Sequence, residues 1–84
     1  MKISFYKTAW EDYCYWQKTD KKMCNKINGL LQDIMRSPFS GLGKPEPLRF
    51  EMTGAWSRRI DQEHRLVYVV HGDTIEVLQC RWHY

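Results

Sequence analysis

An α+β fold with its elements in the order β-α-α-β-β-β-β is predicted by three observations. A helical apolar stripe runs through residues 23–35, short alternating segments separated by turn residues fill the C-terminal half, and a Pro- and Gly-rich stretch divides the two. Eighty-four residues is the size of one domain, so 1–84 is read as a single unit whose site must share walls with its only core. Short connections between the last four strands make the sheet antiparallel, with both helices packed across one face.

Each element has its own reason. Lys2 to Tyr6 alternates polar and apolar residues and reads as a first strand. Thr8 and Glu11 form a T-x-x-E capping box, and Trp10, Tyr13, Cys14 and Trp16 or Gln17 then recur at helical spacing as far as Thr19. Asp20 caps a second helix, in which Met23, Cys24, Ile27, Leu30, Leu31, Ile34 and Met35 share one face and Gly29 lies on the polar side. Ser37-Pro38 ends it. Residues 37–47 hold all three prolines and form a bent, stiff loop. Leu48, Phe50 and Met52 alternate with Arg49 and Glu51 as strand two, and Thr53-Gly54 turns the chain. Ala55 to Asp61 and His64 to His71 are strands three and four, and Gly72-Asp73 leads into strand five, Thr74 to Trp82. Leu66 to Val70 is apolar at both parities, which makes strand four central and leaves open which side Arg65 faces.

Composition narrows the function classes. The net charge is +3, and the cations are segregated: six of seven lysines precede residue 27, and five of six arginines follow residue 48. Arg offers a planar fork that grips phosphate or carboxylate through two hydrogen bonds, so an anion site is expected in the C-terminal half. Three cysteines without a CxxC pair suit neither a disulfide framework nor a zinc site, and no metal or cofactor is expected. No signal peptide is read at the start, and no apolar run approaches the roughly 20 residues of a membrane span. A cytoplasmic protein with no membrane contact is the expectation. So small a domain also favours a stabilising partner or a dimer.

Three features carry chemistry. In Lys44-Pro45-Glu46-Pro47, Pro45 locks its own φ and Pro47 keeps Glu46 out of the helical region; that is a stiff mount for a base, or simply a solvated loop carboxylate. Arg58, Arg59 and Arg65 lie on adjacent strands. Arg58 and Arg59 must point to opposite sides, with Arg59 assigned to the open face and the other needing a partner such as Asp61 or Glu51. The chain stops at Trp82-His83-Tyr84, where a frayed tail competes with two aromatic anchors holding a side chain of the type that ordinarily titrates near neutrality. A carboxylate, guanidinium groups and an imidazole are the parts for RNA cleavage through the ribose 2′-OH, which serves as nucleophile without a water-activating metal and restricts the reaction to RNA.

The chain resembles YoeB-type toxins of the RelE/ParE superfamily over essentially all 84 residues. The likeness rests on Trp10-Glu11-Asp12-Tyr13, Tyr15-Trp16-Gln17, Gly43 to Leu48, Trp56 to Ile60, Glu63 to Tyr68 and the terminal His83-Tyr84. The resemblance implies a RelE-like fold and a ribosome-dependent endoribonuclease that cuts mRNA in the A site, leaving a 2′,3′-cyclic phosphate and a 5′-OH. It further implies a homodimer and a cognate YefM-like antitoxin. Carried over by position, it makes Glu46 the general base, His83 the general acid, Arg65 and Arg59 phosphate contacts, and Tyr84 an orienting contact. Lys44 and Arg49 join Arg59 and Arg65 as RNA-binding residues. Arg49 stands where a lysine is expected, which keeps the charge and changes the fork geometry. The rival readings on the same fold are a ParE-like topoisomerase inhibitor and a non-catalytic RNA- or protein-binding module. Glu46, His83 and Tyr84 together favour the nuclease.

Overall fold

The computed structural model describes residues 1–83. Strand β1 (Lys2–Phe5) is followed by helices α1 (Lys7–Thr19) and α2 (Lys21–Arg36), then by β2 (Glu46–Pro47), β3 (Trp56–Arg59), β4 (Arg65–His71) and β5 (Thr74–Gln79). The strand order is β1-β5-β4-β3-β2, so β4 is central as its doubly apolar sequence predicts. Strands β2 to β5 pair antiparallel with their neighbours. β1 pairs parallel with β5, Lys2 beside Thr74 and Phe5 beside Val77, which makes the sheet mixed rather than wholly antiparallel. The two helices carry the chain across to the opposite edge before β2, and no tight turn links β1 to β5 to reverse their direction.

Helix α2 forms as its pattern requires. Asp20 Oδ1 accepts hydrogen bonds from the backbone N–H groups of Lys22 and Met23 at 3.1 and 3.2 Å. Such a cap stabilises a helix by about 1 kcal/mol relative to alanine. Its stripe, Met23, Cys24, Ile27, Leu30, Leu31 and Ile34, is buried with Ala9 and Trp16 of α1 against Leu66, Tyr68, Ile75 and Val77 of the sheet and Cys80 just beyond it. Helix α1 starts differently from the prediction. Its N-cap is Tyr6, with no side-chain cap, and the Thr8 hydroxyl instead donates to the Leu78 carbonyl at 3.4 Å. The Tyr6 N–H is still bonded to the Val77 carbonyl at 3.0 Å, so the chain passes from sheet to helix before Thr8 reaches a capping position.

The segment read as strand two is also different. Only Glu46–Pro47 pairs with β3, and Phe50–Met52 is a 3-10 turn. Pro47 supplies no N–H for a longer ladder, and Phe50 has φ 60°, outside strand geometry. The apolar alternation is satisfied in another way. Leu48 and Ala55 bury themselves on Val67 with help from Met52, Val69 and Leu78, which closes a second, smaller cluster on the helix-free face. Phe50 is left 89% exposed. Among the described residues no helix is long and apolar enough to cross a membrane.

Candidate active site

The loop before β2 is held by Arg58, whose side chain is wholly buried on the helix side of β3. Nη1 donates to Asp33 Oδ2 at 2.6 Å and to the Leu42 carbonyl at 3.0 Å; Nη2 donates to the carbonyls of Ser37 at 2.6 Å and Ser40 at 2.9 Å. Nε reaches the Tyr68 hydroxyl at 3.3 Å, and that hydroxyl donates to the Pro38 carbonyl at 2.6 Å. One guanidinium thus binds four points of loop and helix and one of the sheet. The Leu42 N–H, then the Arg36 and Arg58 guanidinium groups, hold the Asp33 carboxyl far below the usual carboxylate range. Burial of the Tyr68 phenol pushes its pKa up. The expected alternation of Arg58 and Arg59 holds, but the buried arginine finds Asp33 of α2, not Asp61 or Glu51.

Gly43 completes the loop. Its carbonyl accepts from the Arg59 N–H at 2.7 Å, and with φ +78° a Cβ there would lie 2.9 Å from the Arg59 carbonyl oxygen and 3.1 Å from Arg58 Cβ. The three residues that follow, Lys44-Pro45-Glu46, therefore run from a fixed point into the edge strand β2.

Register then decides which side chains share a face. Arg58 points to the helices, so its neighbours Ser57 and Arg59 point away from them. Glu46 pairs with Ser57, and Ser57 with Val67, so Glu46 belongs to the helix-free face. Arg59 stands directly opposite Arg65, which settles the parity left open by the sequence: by strand alternation both side chains start from that same face, Arg59 also bordering a cleft with Lys26, Gly29 and Leu30 of α2. Arg59 is exposed; Arg65 is half-buried, its Nη1 donating to the carbonyls of Asp61 at 2.8 Å and His64 at 3.1 Å. The connection between their strands is built on Asp61, whose Oδ1 accepts from the N–H groups of Glu63 and His64 at 2.8 and 2.7 Å. Burial raises the Asp61 pKa, but those two N–H groups outweigh it, and the net shift is downward.

Beyond β5, residues 80–83 are held by hydrogen bonds and ring contacts. Asp12 and Trp16, one turn apart on α1, take both backbone groups of Cys80: its N–H donates to Asp12 Oδ2 at 3.1 Å and its carbonyl accepts from Trp16 Nε1 at 2.8 Å. Burial raises the Asp12 pKa and pushes the Cys80 thiol up to about 12. Arg81 lies over the rings of Tyr15 and Trp82, at 3.6 and 4.3 Å from their centroids. The Trp82 N–H donates to His64 Nδ1 at 2.8 Å and its carbonyl accepts from the Arg65 N–H at 2.9 Å, so Trp82 sits beside Arg65 on the line of β5 continued. Gln79 Nε2 donates to the carbonyls of Arg81 at 3.1 Å and His83 at 2.9 Å. His83 is exposed.

Glu46, Arg59 and Arg65 thus come from three consecutive strands on one face, and the segment carrying His83 adjoins the third. Arg49 shares with Glu46 an open groove of about 480 Å³ whose other walls are Pro47, Leu48, Phe50 and Met52. Lys44 is exposed and lies outside that groove's lining. Tyr84 lies outside the described residues. Three non-glycine residues have positive φ among those described: Lys44 at 52°, Phe50 at 60° and Trp82 at 68°. They stand two residues before Glu46, next to Arg49 and next to His83. A side chain in that region costs about 1–3 kcal/mol, so the strain is concentrated around the candidate residues.

A family model described as YoeB-like toxin of bacterial type II toxin-antitoxin system matches residues 5–84. The chain belongs to this YoeB-like toxin family. It is 52% identical over 84 residues to Toxin YoeB of Escherichia coli strain K12, covering all of both chains. A solved YoeB/ParE toxin from Agrobacterium tumefaciens superposes with a TM-score of 0.98 at 53% identity, again over all of both chains. A YoeB dimer from Staphylococcus aureus matches with a TM-score of 0.94 at 49% identity, covering all of this chain and 98% of that one. The Staphylococcus aureus YoeB has also been solved in a heterotetrameric complex with YefM.

Sequence reading of this YoeB-like chain missed Asp33, Gln79 and His64. Asp33 was there to be found, since it stands three residues after Leu30 on the apolar face of α2, and a carboxylate in a buried stripe demands a cation. Gln79 carried no such signal. Its direction depends on the irregular register between Val67 and Tyr68 of β4, where Val67 pairs with Gln79 but Tyr68 with Val77, and Gln79 is turned toward the helix-free face.

Proposed function

We propose that this chain is a ribosome-dependent endoribonuclease that cleaves mRNA in the A site and so inhibits translation. The observation that carries the reading is the common face of Glu46, Arg59 and Arg65, joined at its margin by the segment bearing His83. Glu46 is the general base and takes the proton of a ribose 2′-OH. The 2′-oxygen forms a bond to phosphorus as the P–O5′ bond breaks, and His83 as general acid protonates the departing 5′-oxygen. Arg59 and Arg65 stabilise the charge that gathers on the phosphate, Arg65 with its fork already oriented by two carbonyls. Arg49 and Lys44 bind the flanking RNA backbone, and Tyr84 is an orienting terminal contact. The products are a 2′,3′-cyclic phosphate and a 5′-OH end. The bonds to phosphorus that form and break both belong to RNA, and the only groups exchanged with the protein are the protons that Glu46 takes and His83 gives, so the scheme calls on no cofactor.

The same reading includes a cytoplasmic site of action, a homodimer and a YefM-like antitoxin, in keeping with the dimer and the YoeB-YefM complex of the Staphylococcus aureus relative. An antitoxin would cover the arginine face with acidic residues or displace the end of the chain. Ribosomes programmed with a defined mRNA provide the test, with the unaltered protein beside Glu46→Ala and His83→Ala. Each substitution is expected to slow cleavage about 100- to 10,000-fold, the range for a lost general acid or base. Equal cutting by all three proteins refutes these roles. Inhibition of a topoisomerase without mRNA cleavage would favour the ParE-like alternative.

A further inference from the structure

We infer that Gln79 is a positioning residue that latches the end of the chain, so that His83 is presented to the helix-free face in one orientation. The inference rests on the nuclease reading for its consequence, but not for its geometry. A carboxamide nitrogen has two hydrogens, and here both are used: one on the Arg81 carbonyl at 3.1 Å, the other on the His83 carbonyl at 2.9 Å. These two acceptors flank Trp82, whose backbone has φ 68°. Trp82 itself is held from the other side by His64 Nδ1 and the Arg65 N–H. The bend of the chain at residues 80–82 is thereby tied around Trp82, and the tie nearest to His83 is the one from Gln79. Cys80, anchored to α1, is the fixed base from which the latch works.

Donor chemistry yields a distinctive order of variants. Gln79→Leu keeps the bulk and removes both hydrogen bonds. Gln79→Glu sets a carboxylate against two carbonyl oxygens and acts against the latch. Gln79→Lys restores a donor with three N–H groups on a flexible stem. In single-turnover cleavage on programmed ribosomes, Gln79→Leu is expected to lower the rate by up to about 100-fold, the penalty for misplacing a catalytic group by an ångström, with ribosome affinity unchanged. Gln79→Glu should be slower still, and Gln79→Lys should recover much of the rate. In a His83→Ala background, Gln79→Leu should cost nothing more, because the latch acts only through His83. Backbone ¹⁵N relaxation gives a readout free of activity: the His83 amide should be ordered in the unaltered protein and in Gln79→Lys, and mobile in Gln79→Leu. Equal order in all variants, or undiminished cleavage by Gln79→Leu, overturns the inference. If the unaltered protein does not cut mRNA, the nuclease reading falls and the latch is judged on relaxation alone.

Discussion

Replacing Arg58 by methionine tests how the loop that delivers Glu46 is held. Arg58 is 0% exposed and donates five hydrogen bonds, to Asp33, Leu42, Ser37, Ser40 and Tyr68. A methionine side chain would fill much of the volume and offer no donor, leaving a carboxylate and three carbonyls without it. Removing one partner of a buried pair costs about 3–5 kcal/mol. A domain of this size has about 4–13 kcal/mol in all. In melting temperature the loss corresponds to about 15–30 °C at the usual rate for small domains. Urea unfolding followed by tryptophan emission measures it, and limited proteolysis should find new cleavage within residues 37–47. Replacing Asp33 by leucine in the same chain should return only part of the stability, because the Ser37, Ser40 and Leu42 carbonyls remain unserved. A loss below about 1 kcal/mol for Arg58→Met, on a scale where ordinary surface changes stay within about 0.5 kcal/mol, would refute the reasoning.

Two other outcomes follow from the same region. Asp33 has its pKa lowered from the usual 3.8, so its contribution to stability is present above that value and is lost as pH falls through the lowered one. Urea midpoints should therefore drop below about pH 4 in the unaltered protein and drop less steeply in Arg58→Met; parallel curves would contradict this. Gly43→Ala places a methyl 2.9 Å from the Arg59 carbonyl at φ +78°, and is expected to destabilise by about 1–3 kcal/mol in the same unfolding assay. Gly29→Ala is the control, since nothing lies within 4 Å of the added carbon there.

How much of this was legible in the sequence depended on whether local chemistry determined the outcome. Helix α2 was readable because its stripe and the Asp20 cap agree, and the opposed directions of Arg58 and Arg59 follow from strand geometry alone. Misreadings arose where a local signal was outvoted. The Thr8-Glu11 box gave way to a hydrogen bond between Tyr6 and Val77, seventy-one positions away. The alternation of Leu48, Phe50 and Met52 reflects a segment folded over Val67 rather than a strand. In the site, the shared face of Glu46, Arg59 and Arg65 follows from the pairing of β2, β3 and β4, whereas the supports of His83 depend on a register irregularity that no spacing encodes.

The parallel pairing of β1 with β5 ties the first residues of the chain to nearly the last, and α1 adds to it by holding Cys80 from Asp12 and Trp16, 68 and 64 positions away. Contacts so distant along the chain make a high contact order, which slows folding. During synthesis they cannot close until residues 74–80 have left the exit tunnel. A nascent chain with only residues 1–73 outside the tunnel would have α2 and part of the sheet to assemble, but neither β5 for its N-terminal strand nor Cys80 for its first helix. Completion of the fold therefore waits on residues 74–80.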